Sequence, residues 1–245
     1  GTSAAPAPAV PQPILDPLLA GFDARPFSTA EKRSLQAALA YEGHYLGMLD
    51  GKWGGGSQAA IERWSNAEWS SEPFGMHLGL LAITLDQLRE AGWRPVSDAG
   101  YRIGFLFPRA TNGTSGATRS FEAWSGGLEA RRSQSSERVL QRLHGQLAGS
   151  LGVFGTPYTV RAEDVWVTSV MKTSGATTYL RSDRRYDGQW EHAQFIAAAD
   201  MGGALALVAS SFDYAPVRGI DLPPSGAAAA LVRRAQDQIA LWLEE

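Results

Sequence analysis

The sequence contains no cysteine. That single absence removes disulfides, thiolate metal sites and cysteine nucleophiles together. It leaves the redox compartment open, because cysteine-free chains occur in the cytoplasm and in bacterial envelopes alike. No apolar run reaches the ~18 to 20 residues that a membrane-spanning helix needs. There is no excess of positive charge either: 22 Lys and Arg stand against 25 Asp and Glu, for a formal net charge of -3. A chain so balanced has no global basic surface, which argues against nucleic acid or an anionic membrane as its main partner. The four histidines, His44, His77, His144 and His192, form neither H-x-x-x-H nor H-E-x-x-H, so no metal site is legible. No G-x-S-x-G or S-x-x-K motif marks a nucleophile. The expectation is a protein without cofactor and without catalytic residues of its own.

What is present falls into three parts. The 245 residues suffice for two small domains, each with a core. Residues 1–25 are Ala/Pro-rich and nearly uncharged at first, reading as a tether, and Ile14, Leu15, Leu18, Leu19 and Phe22 follow at helical spacing as a docking segment. The chain opens on Gly1, so a preceding signal or anchor segment is expected. Residues 26–95 carry three helical patterns. Ser28-Thr29-Ala30-Glu31 is a capping box, and Gly43 is placed to end the helix that it starts. A second helix, capped by Ser57, bears Ala60, Ile61 and Trp64; a third, from His77 to Ala91, aligns Leu78, Leu81, Leu85 and Leu88. The aromatic-rich stretch from Trp69 to Gly75 reads as a loop beside Trp64.

The landmarks Leu35-Gln36-x-x-Leu39, Gly43-x-Tyr45, Asp50-Gly51-x-Trp53-Gly54 and Ser57-x-x-Ala60-Ile61-x-x-Trp64 together resemble the three-helix peptidoglycan-binding domain family of bacterial cell-wall enzymes and envelope proteins. Two positions depart from that family: Trp64 is followed by Ser65 rather than Gln, and Trp rather than Phe precedes Gly54. The resemblance implies a shallow groove near Tyr45, Asp50, Gly51, Trp53, Gly54 and Trp64, holding a stem peptide or glycan of peptidoglycan. It also implies a periplasmic or otherwise envelope-associated location. Asp50 has a second reading as a turn former with Gly51, and Trp53 one as a plug between helices. Tyr45, with a hydroxyl suited to a rim, is the first contact candidate.

From residue 100 to 245 the periodicity changes. Tyr101 to Phe107 alternates as a strand, and Phe121–Trp124 with Leu128–Arg131 forms a hairpin through Ser125-Gly126-Gly127. Helices are expected over 137–147, 202–212 and 226–244. Strands are expected over 158–160, 165–171, 177–181 and 195–199, with a loop over 112–118. This is an α+β sandwich with a mainly antiparallel sheet, closed by a C-terminal helix that packs on the sheet or seats a partner. Its order of elements, with W-V-T-S-V from Trp166, T-Y-L-R-S-D-R-R from Thr178 and the Ala-rich run closing on Ser210-Ser211-Phe212, loosely resembles a class of bacterial envelope domains with a fold like that of the photosystem II oxygen-evolving PsbP and nuclear-transport Mog1 proteins, modules that bind or assemble. Tyr179, Arg181, Arg184 and Arg185, with Tyr186, make the best local basic cluster, a candidate for a protein partner or an anion. Arginines at a strand end also deter edge pairing, which is the simpler explanation. Glu163 with Asp164, or Asp183 with Asp187, could form a carboxylate pair for glycoside cleavage, but turn chemistry and solvation explain them more simply.

The expected function is a non-catalytic envelope protein, binding peptidoglycan through the first domain and a protein through the second. The rival readings are an accessory region of a wall hydrolase or secreted serine protease, and a purely protein-interaction scaffold. Clustering of His144, His192, Asp183 or Glu191 in one cleft would favour the enzyme.

Overall fold

A computed structural model describes residues 22–68, 77–98, 103–109, 121–185, 187–215 and 217–243. The tether with most of its docking segment, the aromatic stretch 69–75, the loop 112–118, and Tyr101 and Tyr186 lie outside these residues. The chain divides into two compact units, the first made of residues 1–94 with 218–245 and the second of residues 95–217. The class is α+β, with six helices among the described residues and a chiefly antiparallel set of strands.

In the first unit, α1 (Thr29–Tyr41) starts on the expected capping box: the Ser28 hydroxyl accepts from the Glu31 amide at 3.2 Å, and Glu31 Oε2 accepts from the Ser28 amide at 2.7 Å. Gly43 follows the helix at φ +81°, a conformation that glycine adopts without penalty. The second helix, α2 (Gly55–Glu68), begins two residues before the expected Ser57 cap. Ser57 is therefore inside the first turn and buried, where its hydroxyl meets Gln36 instead of capping. The third, α3 (His77–Glu90), buries Leu78, Leu81, Leu85 and Leu88 as their spacing requires.

The C-terminal helix, α6 (Ala227–Leu243), corrects the expected domain boundary. It belongs to the helical unit, packed on α3, and not to the sheet domain. Its buried face is Ala228, Ala229, Val232 and Ala235, small side chains that allow close approach. Glu31 supplies the reason for the placement, since its Oε1 accepts the otherwise unpaired Ala228 amide at the N-terminus of α6, at 2.8 Å. Gly226 comes so near the Glu31 carboxylate that any side chain there would collide with it.

In the second unit, β1 (Arg94–Asp98) and β2 (Ile103–Phe107) pair; β1 lies where the sequence pattern marks only a change of periodicity and no strand. Six further strands, β3 (Phe121–Ser125), β4 (Leu128–Ser135), β5 (Val153–Arg161), β6 (Val165–Lys172), β7 (Thr177–Arg184) and β8 (Trp190–Ala197), form one antiparallel sheet. Their order is β3-β4-β8-β7-β6-β5. The β3–β4 hairpin turns through Gly126 and Gly127 as expected, while β4, β5, β7 and β8 run longer than their apolar cores indicate. Pleating sends alternate residues to opposite faces. One face lies under α4 (Glu137–Ala148); the other carries Phe195 against Phe105 of β2 and Phe212 at the end of α5 (Gly202–Ser211).

Burial alone would raise the pKa of Glu31, but the amides of Ser28, Ala228 and Ala229 outweigh it and hold the carboxyl below its ordinary value of 4.5. A depressed carboxyl stabilises the fold fully above its unfolded pKa and stops doing so as pH falls through the folded one. Glu31→Ala should destabilise the helical unit by about 2 to 4 kcal/mol at neutral pH, from the lost cap and the lost charged hydrogen bonds. Hydrogen exchange of α1 and α6 amides reads this directly, and the difference from the parent should shrink below pH 4.5.

Candidate functional site

The loop between α1 and α2 is built around the carboxamide of Gln36, which has no exposed surface. Its Nε2 lies 3.2 Å from the Tyr45 hydroxyl, 2.9 Å from the Lys52 carbonyl and 3.0 Å from the Ser57 hydroxyl. Its Oε1 accepts the Gly51 amide at 2.9 Å. One helical side chain thus gathers both halves of the loop and the start of α2. Arg33, one turn earlier, donates from Nε to the Leu49 carbonyl at 3.0 Å.

Around this hub the expected ligand residues separate into different roles. Tyr45 is largely buried, and its hydroxyl donates to the Met48 carbonyl at 2.8 Å. Burial raises its pKa, so the phenol remains neutral and serves as donor and acceptor. Asp50 acts as a turn former, its Oδ1 accepting the Lys52 amide at 2.9 Å. Gly51 sits at φ +72° against the Thr29 carbonyl, where no side chain fits. Trp53 is half-buried, its ring centroid 5.1 Å from that of Phe22 and its Nε1 donating to Gln58 at 3.0 Å. Trp64 is 2% exposed and packs edge-on against His77, so it is a core residue and not a groove platform. What remains open is a cleft of about 480 Å³, lined by Tyr45, Asp50 and Gly54 from the expected set. Leu46, Lys52 and Arg63 join them in its lining, and Leu46 is 85% exposed.

The second unit brings together residues far apart in sequence. Under α4, a buried chain of hydrogen bonds runs Thr168–His144–Ser182–His192–Ser135, with successive separations of 2.8, 2.7, 2.7 and 2.6 Å. Ser135 commits its proton to the Ser136 carbonyl at 3.2 Å, which fixes the direction of the whole chain. From that donation follows the assignment of both rings as Nε2–H tautomers, His192 donating to Ser135 and accepting from Ser182, His144 donating to Ser182 and accepting from Thr168. Trp166 stacks on His144 with centroids 4.5 Å apart. Two of the four histidines are therefore neighbours, and no spacing in the sequence foretold it. Asp183 and Glu191 do not join them, because the pleat sends both to the opposite face of the sheet.

That opposite face holds the charges. Arg132 donates from Nη2 to Glu191 at 2.8 Å, and Gln134 donates to the same carboxylate oxygen at 2.9 Å. Arg181 grips Asp183 from Nε and Nη2 at 2.8 to 3.1 Å, and the Tyr214 hydroxyl donates to Asp183 at 2.7 Å. Burial first, and then the Asp183 carboxylate, push the Tyr214 phenol well up. Of the expected cluster, Tyr179 stacks on Phe195 and Arg181 is occupied by Asp183, whereas Arg184 and Arg185 line a cavity of about 600 Å³ at the strand ends.

Among the described residues no three metal-ligating side chains converge, and no helix is long and apolar enough to cross a membrane. No protein-family model matches the chain, and no curated protein does either.

Burial is the main cause that lowers both His144 and His192 from the ordinary 6.5 to about 4; His192 and then Arg161 add to it at His144, while at His192 burial and Arg132 outweigh the Glu191 and Asp183 carboxylates. Both rings are neutral when folded, so the unfolded chain binds protons first on acidification. Stability of the sheet unit should fall as pH drops from 6.5 towards about 4. Hydrogen exchange of β6 to β8 amides across that interval checks the slope, and the double variant His144→Asn, His192→Asn should flatten it.

Proposed function

We propose that the chain is a non-catalytic envelope protein whose helical unit binds peptidoglycan and whose sheet unit binds a protein. The observation that carries the reading is the cleft beside Tyr45. It lies in the loop where the resemblance to three-helix peptidoglycan-binding domains expects the ligand, and it combines an exposed apolar side chain, Leu46, with the polar groups of Asp50, Lys52 and Arg63. A sugar ring or stem peptide needs both kinds of contact. The contact set differs from the motif: Leu46 and Lys52 line the cleft, whereas Trp53 packs on Phe22 and Trp64 on His77. In this reading Gln36 acts through the loop that it holds.

The buried imidazole chain does not favour the enzyme reading. Ser182 is wholly enclosed, both flanking histidines are engaged on their outer nitrogens, and Asp183 and Glu191 are on the other face. The arrangement suits a satisfied polar core.

Sedimentation of the purified chain with insoluble peptidoglycan sacculi tests the proposal, with soluble muropeptides assayed in the same tube. The parent should sediment with the sacculi and release nothing. Lys52→Ala and Leu46→Ser, both at exposed positions, should each weaken binding about three- to tenfold, the range of one lost surface contact. Failure of the parent to sediment would leave the interaction-scaffold reading, and release of fragments would establish a hydrolase.

A further inference from the structure

Strand β5 stands at the end of the six-strand order, and among the described residues no strand pairs with its outer side. The hydrogen bonds of its inner side show which groups are left over. The Ala162 amide donates to the Val165 carbonyl at 2.8 Å, and β5 keeps one register on β6 from Tyr158↔Ser169 to Arg161↔Trp166. Because antiparallel bonding alternates along a strand, Tyr158 and Val160 also turn their amides and carbonyls to β6, whereas Thr159 and Arg161 turn theirs outward, as does the Pro157 carbonyl. Both ends of this stretch are closed. Before it, Gly155, Thr156 and Pro157 bulge against Val170 alone, with Gly155 at φ +69° and no N–H on Pro157; after it the chain turns into β6. The free edge is therefore residues 157–161, with Thr159 at its midpoint.

One face of this edge is apolar and open. Tyr158 is 60% exposed and Val160 43%, and Phe154 and Met171, paired across β5 and β6 on the same face, are 60% and 43% exposed. Helix α5 covers that face over β8 and β7 and leaves these side chains in solvent. Edge strands are commonly guarded by charge, yet Arg161 is the sole charged residue of 157–161. The pleat points its side chain to the other face, where the guanidinium lies 4.4 Å over the Trp166 ring.

We propose that the outer edge of β5 joins that of a second copy of this chain, antiparallel about a two-fold axis at Thr159, so that two sheets become one. The stretch supplies its own complement. In this pairing each Thr159 amide donates to the Thr159 carbonyl of the other copy, and each Arg161 amide to the other Pro157 carbonyl. Tyr158 then lies against Val160 and Thr159 against Thr159, aromatic with β-branched and Thr with Thr, both favourable cross-strand pairs. Arg161 faces Pro157, so no like charges meet. Centred in this way the contact stays within 157–161 of both copies, clear of the bulge and the turn, and being two-fold it closes on itself instead of growing into a fibre. It is independent of the wall-binding reading.

Sedimentation velocity of the full chain tests the contact. An edge this short belongs with the smaller, reversible interfaces, so half-dimerisation is expected at about 10 to 100 μM. Thr159→Pro removes an outward amide that the fold does not use, and should weaken association about tenfold or more. A second test uses the absence of cysteine, since Thr159→Cys introduces one thiol per chain. Opposed residues of a hydrogen-bonded antiparallel pair have α-carbons about 5.5 Å apart, within the range of a disulfide. Mild oxidation should therefore link Thr159→Cys into a covalent dimer. Arg161→Cys, whose two copies would stand roughly 14 Å apart along the strands, should stay unlinked. A chain that remains monomeric well above that concentration range would overturn the proposal and leave the edge to a strand of another protein. Undiminished association of Thr159→Pro, or equal linking of the two thiol variants, would overturn it by placing the contact elsewhere.

Discussion

A single buried carboxylate, that of Glu31, organises the helical unit. Two helix N-termini need acceptors for their unpaired amides, and Glu31 serves both, Ser28 through one oxygen and Ala228 through the other. Burying an ion is costly unless every lone pair finds a donor, and here the donors are the positive ends of two helices. With α1 fixed in this way, Arg33 and Gln36 are held at defined points along it, and they in turn shape the loop that ends in Asp50, Gly51 and Lys52. The cleft at Tyr45 is thus three steps removed from the residue that locates it.

The sheet unit separates its polar chemistry by face. On the α4 side the buried groups are neutral, a file of hydroxyls and imidazoles in which each proton has one assigned acceptor. On the other side they are ions, paired as Arg132 with Glu191 and Arg181 with Asp183. Period-two alternation keeps the two sets apart even where they are adjacent in sequence: Ser182 precedes Asp183, and Glu191 precedes His192, with opposite destinations in both cases. A slip of one residue in the β7–β8 register would put imidazoles among the ions, so polar matching on both faces helps define the register.

Local structure is legible in the sequence where one side chain decides a local conformation. The capping box at Ser28 and Glu31, the positive φ at Gly43 and Gly51, the Asp50 turn and the leucine face of α3 all follow from residue chemistry within a few positions. Signals that depend on distant partners were not legible. The Glu31 side chain reads as a cap, yet its second contact is far along the chain. Gln36 is a landmark of the helical pattern but reads as an ordinary polar helix residue, and only folding makes it a hub. His144 and His192 meet because α4 crosses β6 and β7, which no motif records. Strands run longer than their sequence pattern shows because exposed edge residues such as Thr156 and Arg161 lack the apolar alternation that marks a strand.

The partition of the chain has a kinetic consequence. Residues 95–217 form an uninterrupted unit, whereas the helical unit needs residues from both sides of it. The Glu31–Ala228 bond spans 197 residues of sequence, so the contact order of the helical unit is far higher than its small helices suggest. During synthesis, α1 to α3 emerge before the sheet unit but wait for α6 until after it, with the α3 face and the Glu31 carboxylate incompletely covered meanwhile. The sheet unit, made later, has all of its own partners sooner. Order of manufacture and order of completion are therefore reversed, and a fragment cut near residue 95 would carry the cleft without the helix that finishes its support.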